Sequence, residues 1–169
     1  MTDNDFAVLE AERDRLFAAA RTVLMAAPVK GDEATGDIPE MGVTPFVWHD
    51  GGMFIYPSRL SAHVRAMLAV GRAAFLVMED ESEAQNIWAR KRIKFNAQIN
   101  EIGRNSSEFS DICDIFAARH GPTMELIRDF TDFHLLRLRP MAGLMVLGFA
   151  QAYRLDGPDL VVTEHLRQG

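Results

Sequence analysis

The sequence predicts a small, mainly antiparallel β-barrel that carries helices on its outside. Three observations lead there. Six or seven short apolar runs of strand length follow one another, mostly joined as antiparallel neighbours. Helical spacing is confined to the start of the chain, a stretch after the third strand and a stretch near residue 110. Alternating strand–helix–strand units are absent, which argues against a doubly wound dinucleotide fold.

Residues 5 to 20 place Phe6, Leu9, Arg13, Leu16, Phe17 and Ala20 at helical spacing with charges between them. "RTVLMAAP" (21–28) reads as a buried strand, and "VKGDEATGDIPEMG" (29–42) as an exposed hairpin or loop. "VTPFVW" and "GMFIYP" flank His49-Asp50-Gly51-Gly52, where Asp-Gly between β-prone runs signals a hairpin. Leu60, Val64, Met67 and Leu68 then share one stripe of a helix, with Ser58 placed to cap it. "AAFLVM" (73–78) is short and continuously apolar, as expected of a strand covered on both faces. "EDESEAQNIWA" is an acidic turn with a short helix.

In "RKRIKFNAQINEIG", Ile93, Phe95, Ala97 and Ile99 point one way, and Lys94, Asn96, Gln98 and Asn100 the other. Ser106 opens a helix with Phe109, Ile112, Cys113 and Phe116 at helical spacing, ended by Gly121. Pro122 opens a shorter helix through Arg128. "FHLLRLRP" and "GLMVLGFAQAYRL" read as two strands joined by a tight "MAG" turn. No linker divides the chain, so residues 1–169 are expected to form one domain, with an N-terminal helix over 1–20 and a helical insertion over 105–130.

The totals narrow the function. A net charge of −6 argues against a general nucleic-acid binder, which needs a basic face. Cys113 is the sole cysteine, which excludes an internal disulfide or a multi-cysteine metal cage and suits a reducing cytosol. The N-terminus carries acids where a signal peptide needs a basic end. No run approaches the roughly 18 apolar residues of a membrane span. A soluble, cytoplasmic chain is expected.

Anion-friendly side chains gather in "YPSRLSAHVRAM" (56–67), at the join between a strand and a helix. A helix N-terminus offers unpaired amides and a partial positive charge, a seat suited to phosphate. Ser61 and Arg65 border one side of the apolar stripe, Arg59 and His63 the other. The plainer reading is an amphipathic helix whose polar residues face water. Arg90, Lys91 and Arg92 stand at a strand entrance, either as partners for a phosphate or carboxylate or as a solvated strand end. His49, His63, His120, His134 and His165 show no metal-ligand spacing. Neither a Ser-His-acid arrangement, a GxGxxG run nor a P-loop is present, and no catalytic residue is nominated. Asp129 and Asp132 read as turn formers sooner than as acid/base partners, and Trp48 and Trp88 as core or interface residues sooner than as a platform for a planar ligand.

"PSRLSAHVRAM", "FLVMEDESEAQNIWARKRIKF" and "DFHLLRLRPMAGLMVLGFAQAY" resemble the haem-iron-utilisation branch of the pyridoxamine-5′-phosphate-oxidase-like, FMN-binding split-barrel superfamily. The likeness runs from about Arg21 to Leu160. Its signature is Phe133, Leu135, Arg137, Leu138, Pro140, Gly143, Val146, Gly148, Phe149, Ala152 and Tyr153 in the family's order and spacing. The resemblance implies a six-stranded antiparallel split barrel working as a homodimer, with ligand sites at the subunit interface. It implies a flavin phosphate held near Tyr56, Ser58, Ser61, His63 and Arg65 on one side and Arg90, Lys91 and Arg92 on the other. The two groups would then converge in one positive pocket.

The departures from the family pattern are specific. Oxidase members carry an Arg-Lys pair where Ala62 and His63 stand, and this branch commonly shows Asn and Gly where Ala66 and Ala150 stand. The Arg and His that contact pyridoxine phosphate near the oxidases' C-terminus have no counterpart. Haem-degrading relatives ligate iron through a histidine in a short C-terminal tail, supported by an acidic residue of the partner subunit. Asp132 matches the acid, whereas the tail reads "VVTEHLRQG" and offers only His165, which aligns with a different position. The leading expectation is an FMN-binding, flavin-dependent oxidoreductase. The alternatives are a haem-binding or haem-degrading protein using Asp132 and His165, or a non-enzymatic dimer with a decayed site.

Overall fold

The computed structural model describes residues 3–29 and 37–166. In chain order the elements are α1 (Asp3–Ala19), β1 (Thr22–Ala27), β2 (Glu40–His49), β3 (Gly52–Ile55), α2 (Ala62–Val70) and β4 (Arg72–Met78), followed by β5 (Arg92–Ile102), α3 (Ser107–His120), α4 (Thr123–Ile127), β6 (Leu135–Gly148), β7 (Gln151–Asp156) and β8 (Val161–Leu166). The sheet order is β3-β2-β1-β4-β5-β6-β7-β8, and β3 also pairs with β6. That extra pairing closes β3-β2-β1-β4-β5-β6 into a six-stranded barrel, with β7 and β8 continuing from β6 as a flap. Every pairing is antiparallel.

The barrel closes because alternation puts one side chain of every pair inside. On β5, Ile93, Phe95 and Ala97 are buried while Lys94, Asn96 and Gln98 are exposed. Phe75 stacks on Phe95 at 5.5 Å, and Phe17 of α1 meets Phe95 edge-on at 6.4 Å, so α1 plugs the barrel's end. Trp48 completes the plug, lying parallel to Phe17 at 4.5 Å. Trp88, by contrast, is 83% exposed and belongs to no core. A second apolar cluster lies outside the barrel, where α3 and α4 cover Val47, Phe54 and Tyr56. Asp50 (φ 46°) and Gly51 (φ 67°) form the expected hairpin between β2 and β3, both in the left-handed region that this turn demands.

Five expectations need correction. "MAG" is not a turn: β6 runs unbroken through Met141, Ala142 and Gly143, because β5 and β7 bind it from both sides. The reversal comes at Phe149-Ala150, with Ala150 at φ 56°. Residues 40–42, read as loop, open β2 by pairing with β1, while residues 30–36 of that stretch lie outside the described residues. Leu60 is 78% exposed and precedes α2, so the helix's buried stripe is Val64 and Met67. The N-cap is Ser61, not Ser58. The tail reading also missed β8, which pairs with β7 through Val161, Val162 and Glu164 to Leu166.

Cys113 is buried within the outer cluster, and burial pushes its thiol up to about 11. A thiol so raised stays protonated at pH 8 and is a poor nucleophile. Native protein is expected to leave Cys113 unmodified by a chromogenic disulfide reagent at pH 8. One thiol per chain should appear only on adding denaturant. Prompt reaction of the folded protein would contradict this packing.

Candidate functional site

The end of β3, the start of α2 and the edge of β2 enclose a cavity of about 500 Å³ against α3 and α4. Val43, Thr44 and Pro45 come from β2, Tyr56, Pro57 and Ser58 from the exit of β3, and Ser61 and His63 from the first turn of α2. Phe116, His120, Met124, Ile127 and Phe133 form the opposite wall, and Arg21 and Thr22 stand on the rim. Among the described residues no carboxylate lines it. A mainly apolar wall with one arginine on its rim and a few hydroxyl groups suits an amphipathic anion.

The structure sorts the expected residues. Tyr56 is a structural member of the wall: its hydroxyl donates to the Arg128 carbonyl at 2.8 Å, and Arg104 donates to that hydroxyl at 3.3 Å. Its burial raises the phenol above its ordinary range, keeping it protonated. Ser58 donates to the Asp132 carboxylate at 2.5 Å and accepts the Leu60 N–H at 3.1 Å. The backbone of Asp132 is fixed as well, its carbonyl accepting the Arg59 N–H at 2.7 Å. Asp132 is therefore held beside the cavity by the same strand exit that lines it. Ser61 makes no side-chain cap bond, so its hydroxyl is available to the cavity.

Arg65 turns away, donating to the carbonyls of Leu60 at 2.6 Å and Arg59 at 3.1 Å, which ties the loop to α2. Arg90, Lys91 and Arg92 do not share this cavity within one chain. Arg90 and Lys91 line a neighbouring one of about 650 Å³, and the two cavities have Arg21 and Thr22 in common. Local acceptors hold these cations: Arg90 bonds the Glu79 carbonyl and Glu81, Lys91 bonds Glu12 at 3.0 Å, and Arg92 bonds the Arg90 carbonyl at 2.9 Å. The bond from Lys91 keeps the Glu12 carboxyl below its usual range. His165 lies on β8, stacked on Tyr153 at 4.8 Å with Nε2 against the Ala150 carbonyl at 2.9 Å.

Sequence reading missed Arg21, His120 and Gly42. His120 follows Phe116 by one helical turn, a spacing that signals a shared face, and its Nε2 meets the Phe46 carbonyl at 2.8 Å. Burial, reinforced by Arg119 and Arg21, lowers its pKa below the ordinary histidine value, so the imidazole is neutral near pH 7. Gly42 matters because a β-carbon there would stand 2.3 Å from Cε1 and Nε2 of His63. Only the folded register of β2 against α2 reveals that contact.

No protein-family model matches the chain. The haem oxygenase HutZ of Vibrio cholerae is 34% identical over 131 residues, covering 78% of this chain and 74% of that protein. The chain belongs to the haem-utilisation branch of the pyridoxamine-5′-phosphate-oxidase-like split-barrel superfamily. The crystal structure of ChuZ from Campylobacter jejuni superposes with a TM-score of 0.81 at 27% identity, covering 95% of this chain and 63% of ChuZ. The chain thus spans less than two thirds of ChuZ's length. HutZ itself, described structurally as a haem storage protein, superposes at 0.70 with 26% identity over 89% of this chain and 98% of its own. An oxidase-like protein from Listeria innocua, at 0.55 and 11% identity, shares the fold alone. The flavin expected from the superfamily finds no support in the names of these haem-branch relatives, which favour the haem alternative. Among the described residues no helix is long and apolar enough to cross a membrane.

Proposed function

We propose that this chain is a haem-binding protein of haem utilisation, with the macrocycle seated in the cavity between the β3–α2 join and α3–α4. The observation that carries the reading is the 34% identity with haem oxygenase HutZ over 131 residues. The residues present suit the ligand. A porphyrin has two apolar faces and a propionate edge, and the cavity sets Phe116, Met124, Ile127 and Phe133 against Arg21, Thr22 and Ser61. Among the described residues the lining holds no carboxylate, which spares the propionates like-charge repulsion. Bound haem would supply iron redox chemistry, and the chain's part is to orient the ring and exclude water.

A second copy completes this picture. Met41 and Val43 beside the cavity, and Ile87 and Trp88 beside Arg90, are large and exposed, which supports pairing of two chains across this face. In such a homodimer the Arg90–Arg92 group of one chain would face the partner's ligand. FMN is the competing occupant, with its phosphate at Ser61 and His63.

The deciding measurement adds ferric haem and FMN separately to the full chain. Haem is expected to give a saturable Soret change at micromolar concentration and to raise the melting temperature, since a ligand of the native state alone stabilises it. FMN fluorescence should stay unquenched. An unchanged Soret region together with quenched flavin would reverse the assignment.

A further inference from the structure

We infer that Arg21 makes the cavity between the β3–α2 join and α3–α4 selective for a tetrapyrrole with free carboxylates, an inference that rests on the haem reading above. Haem carries its propionates at one edge of an apolar disc. An oriented guanidinium at that edge separates the free acid from its neutral esters.

The fold puts Arg21 at a boundary. Its carbonyl accepts the Phe46 N–H at 3.3 Å and Thr22 beside it pairs with Pro45, so its place where β1 meets β2 is fixed. Arg21 and Thr22 line the first and the second cavity alike. The side chain thus stands between a mainly apolar chamber and one lined by Glu12, Glu79, Arg90 and Lys91. Burial of an apolar disc in the first chamber favours leaving its charged edge at such a boundary.

The guanidinium is also underused. It donates from Nη2 to the Arg119 carbonyl at 3.2 Å, and among the described residues no carboxylate pairs with it. The rest of its donor fork stays open to a carboxylate.

Its neighbour sharpens the argument. Arg119 lies in the last turn of α3, where carbonyls without helical partners concentrate negative potential. His120 on the same turn does not offset it, because burial holds its imidazole neutral near pH 7. Arg21 therefore sets the sign of the potential that the chain itself places at this rim. With it the rim attracts a carboxylate; without it the carbonyl end of α3 repels one.

The test compares Soret titrations of the full chain with ferric haem and with its dimethyl ester, which keeps ring and iron but removes both charges. Wild-type chain should bind haem about tenfold more tightly than the ester, as one charge-assisted pair at a partly exposed site allows. Arg21→Ala should lower haem affinity by about that factor and leave ester affinity unchanged. Arg21→Gln keeps a donor for the Arg119 carbonyl but no charge. It should match Arg21→Ala, and it decides the matter should that variant fail to fold. Arg72→Ala removes an equal charge at the end of β4 away from Met78 and the second cavity, and should keep the wild-type preference. An undiminished preference in Arg21→Ala or Arg21→Gln would overturn the assignment, as would equal wild-type affinities for haem and ester, and both leave haem binding intact. Absence of any Soret change with either ligand would instead remove the haem reading and this inference together.

Discussion

Phe95→Ala is expected to lower the unfolding free energy by about 3–5 kcal/mol, the range for deleting a fully buried phenyl ring. Phe95 is 1% exposed at the barrel's centre, stacked on Phe75 and met edge-on by Phe17. The hole left behind cannot close from the neighbouring strand. Gly143 lies directly opposite on β6, and the backbones are so close that a β-carbon there would stand 2.7 Å from the Lys94 carbonyl. Strands in that contact cannot move further inward, and Gly143 has no side chain to fill the space. The loss should therefore fall towards the top of the range. Urea unfolding measures it directly, with Phe149→Ala as control. That phenylalanine is 68% exposed, so its removal should cost no more than about 0.5 kcal/mol. A Phe95→Ala loss below about 1 kcal/mol would mean that the barrel interior is not packed as described.

The same pair of residues shows how far the sequence can be read. The burial of Ile93, Phe95 and Ala97 follows from period-two alternation, a local property that needs no partner. The Asp50-Gly51 hairpin is local too, because left-handed backbone geometry selects those residue types. Gly143 defeats local reading. A glycine after Met-Ala fits a turn as well as a close strand approach, and only pairing with both β5 and β7 separates them.

The candidate site divides in the same way. Ser58, Ser61 and His63 meet around one strand exit within six residues and are visible as a cluster. Their facing wall comes from Phe116 to Phe133, which no nearby pattern connects to them. The cations at 90–92 are only half legible, for the converse reason. The acceptors of Arg90 and Lys91, namely Glu79, Glu81 and Glu12, are brought by α1 and by the segment after β4, so the local partners of this run are invisible in the sequence.

Arg104→Ala is expected to cost about 1–3 kcal/mol and to loosen the segment that carries Asp132, the range for hydrogen bonds to a charged donor, lowered at its foot by partial exposure. The Arg104 guanidinium donates to the carbonyls of Arg128 and Phe133, each at 2.7 Å, to that of Phe130, and to the Tyr56 hydroxyl. It also lies over the Phe109 ring at 5.3 Å. One side chain thus gathers both ends of the 128–133 segment and fixes it to the exit of β3. On the far side the same segment is held by Ser58 on the Asp132 carboxylate and by the His134 N–H on the Pro57 carbonyl at 3.0 Å. With Arg104 gone, three carbonyls lose a planar donor fork that water replaces only by letting the segment open. Hydrogen exchange should then accelerate at the amides of Arg59 and His134, and on the proposed haem reading haem affinity should fall, because Ile127 and Phe133 belong to the cavity wall. Arg104→Lys separates geometry from charge. An ammonium cannot reach the same spread of acceptors, so it should recover only part of the stability and little of the exchange protection. Full recovery by lysine would assign the role to charge alone, and unchanged exchange in Arg104→Ala would show that the segment is held from the Ser58 side without it.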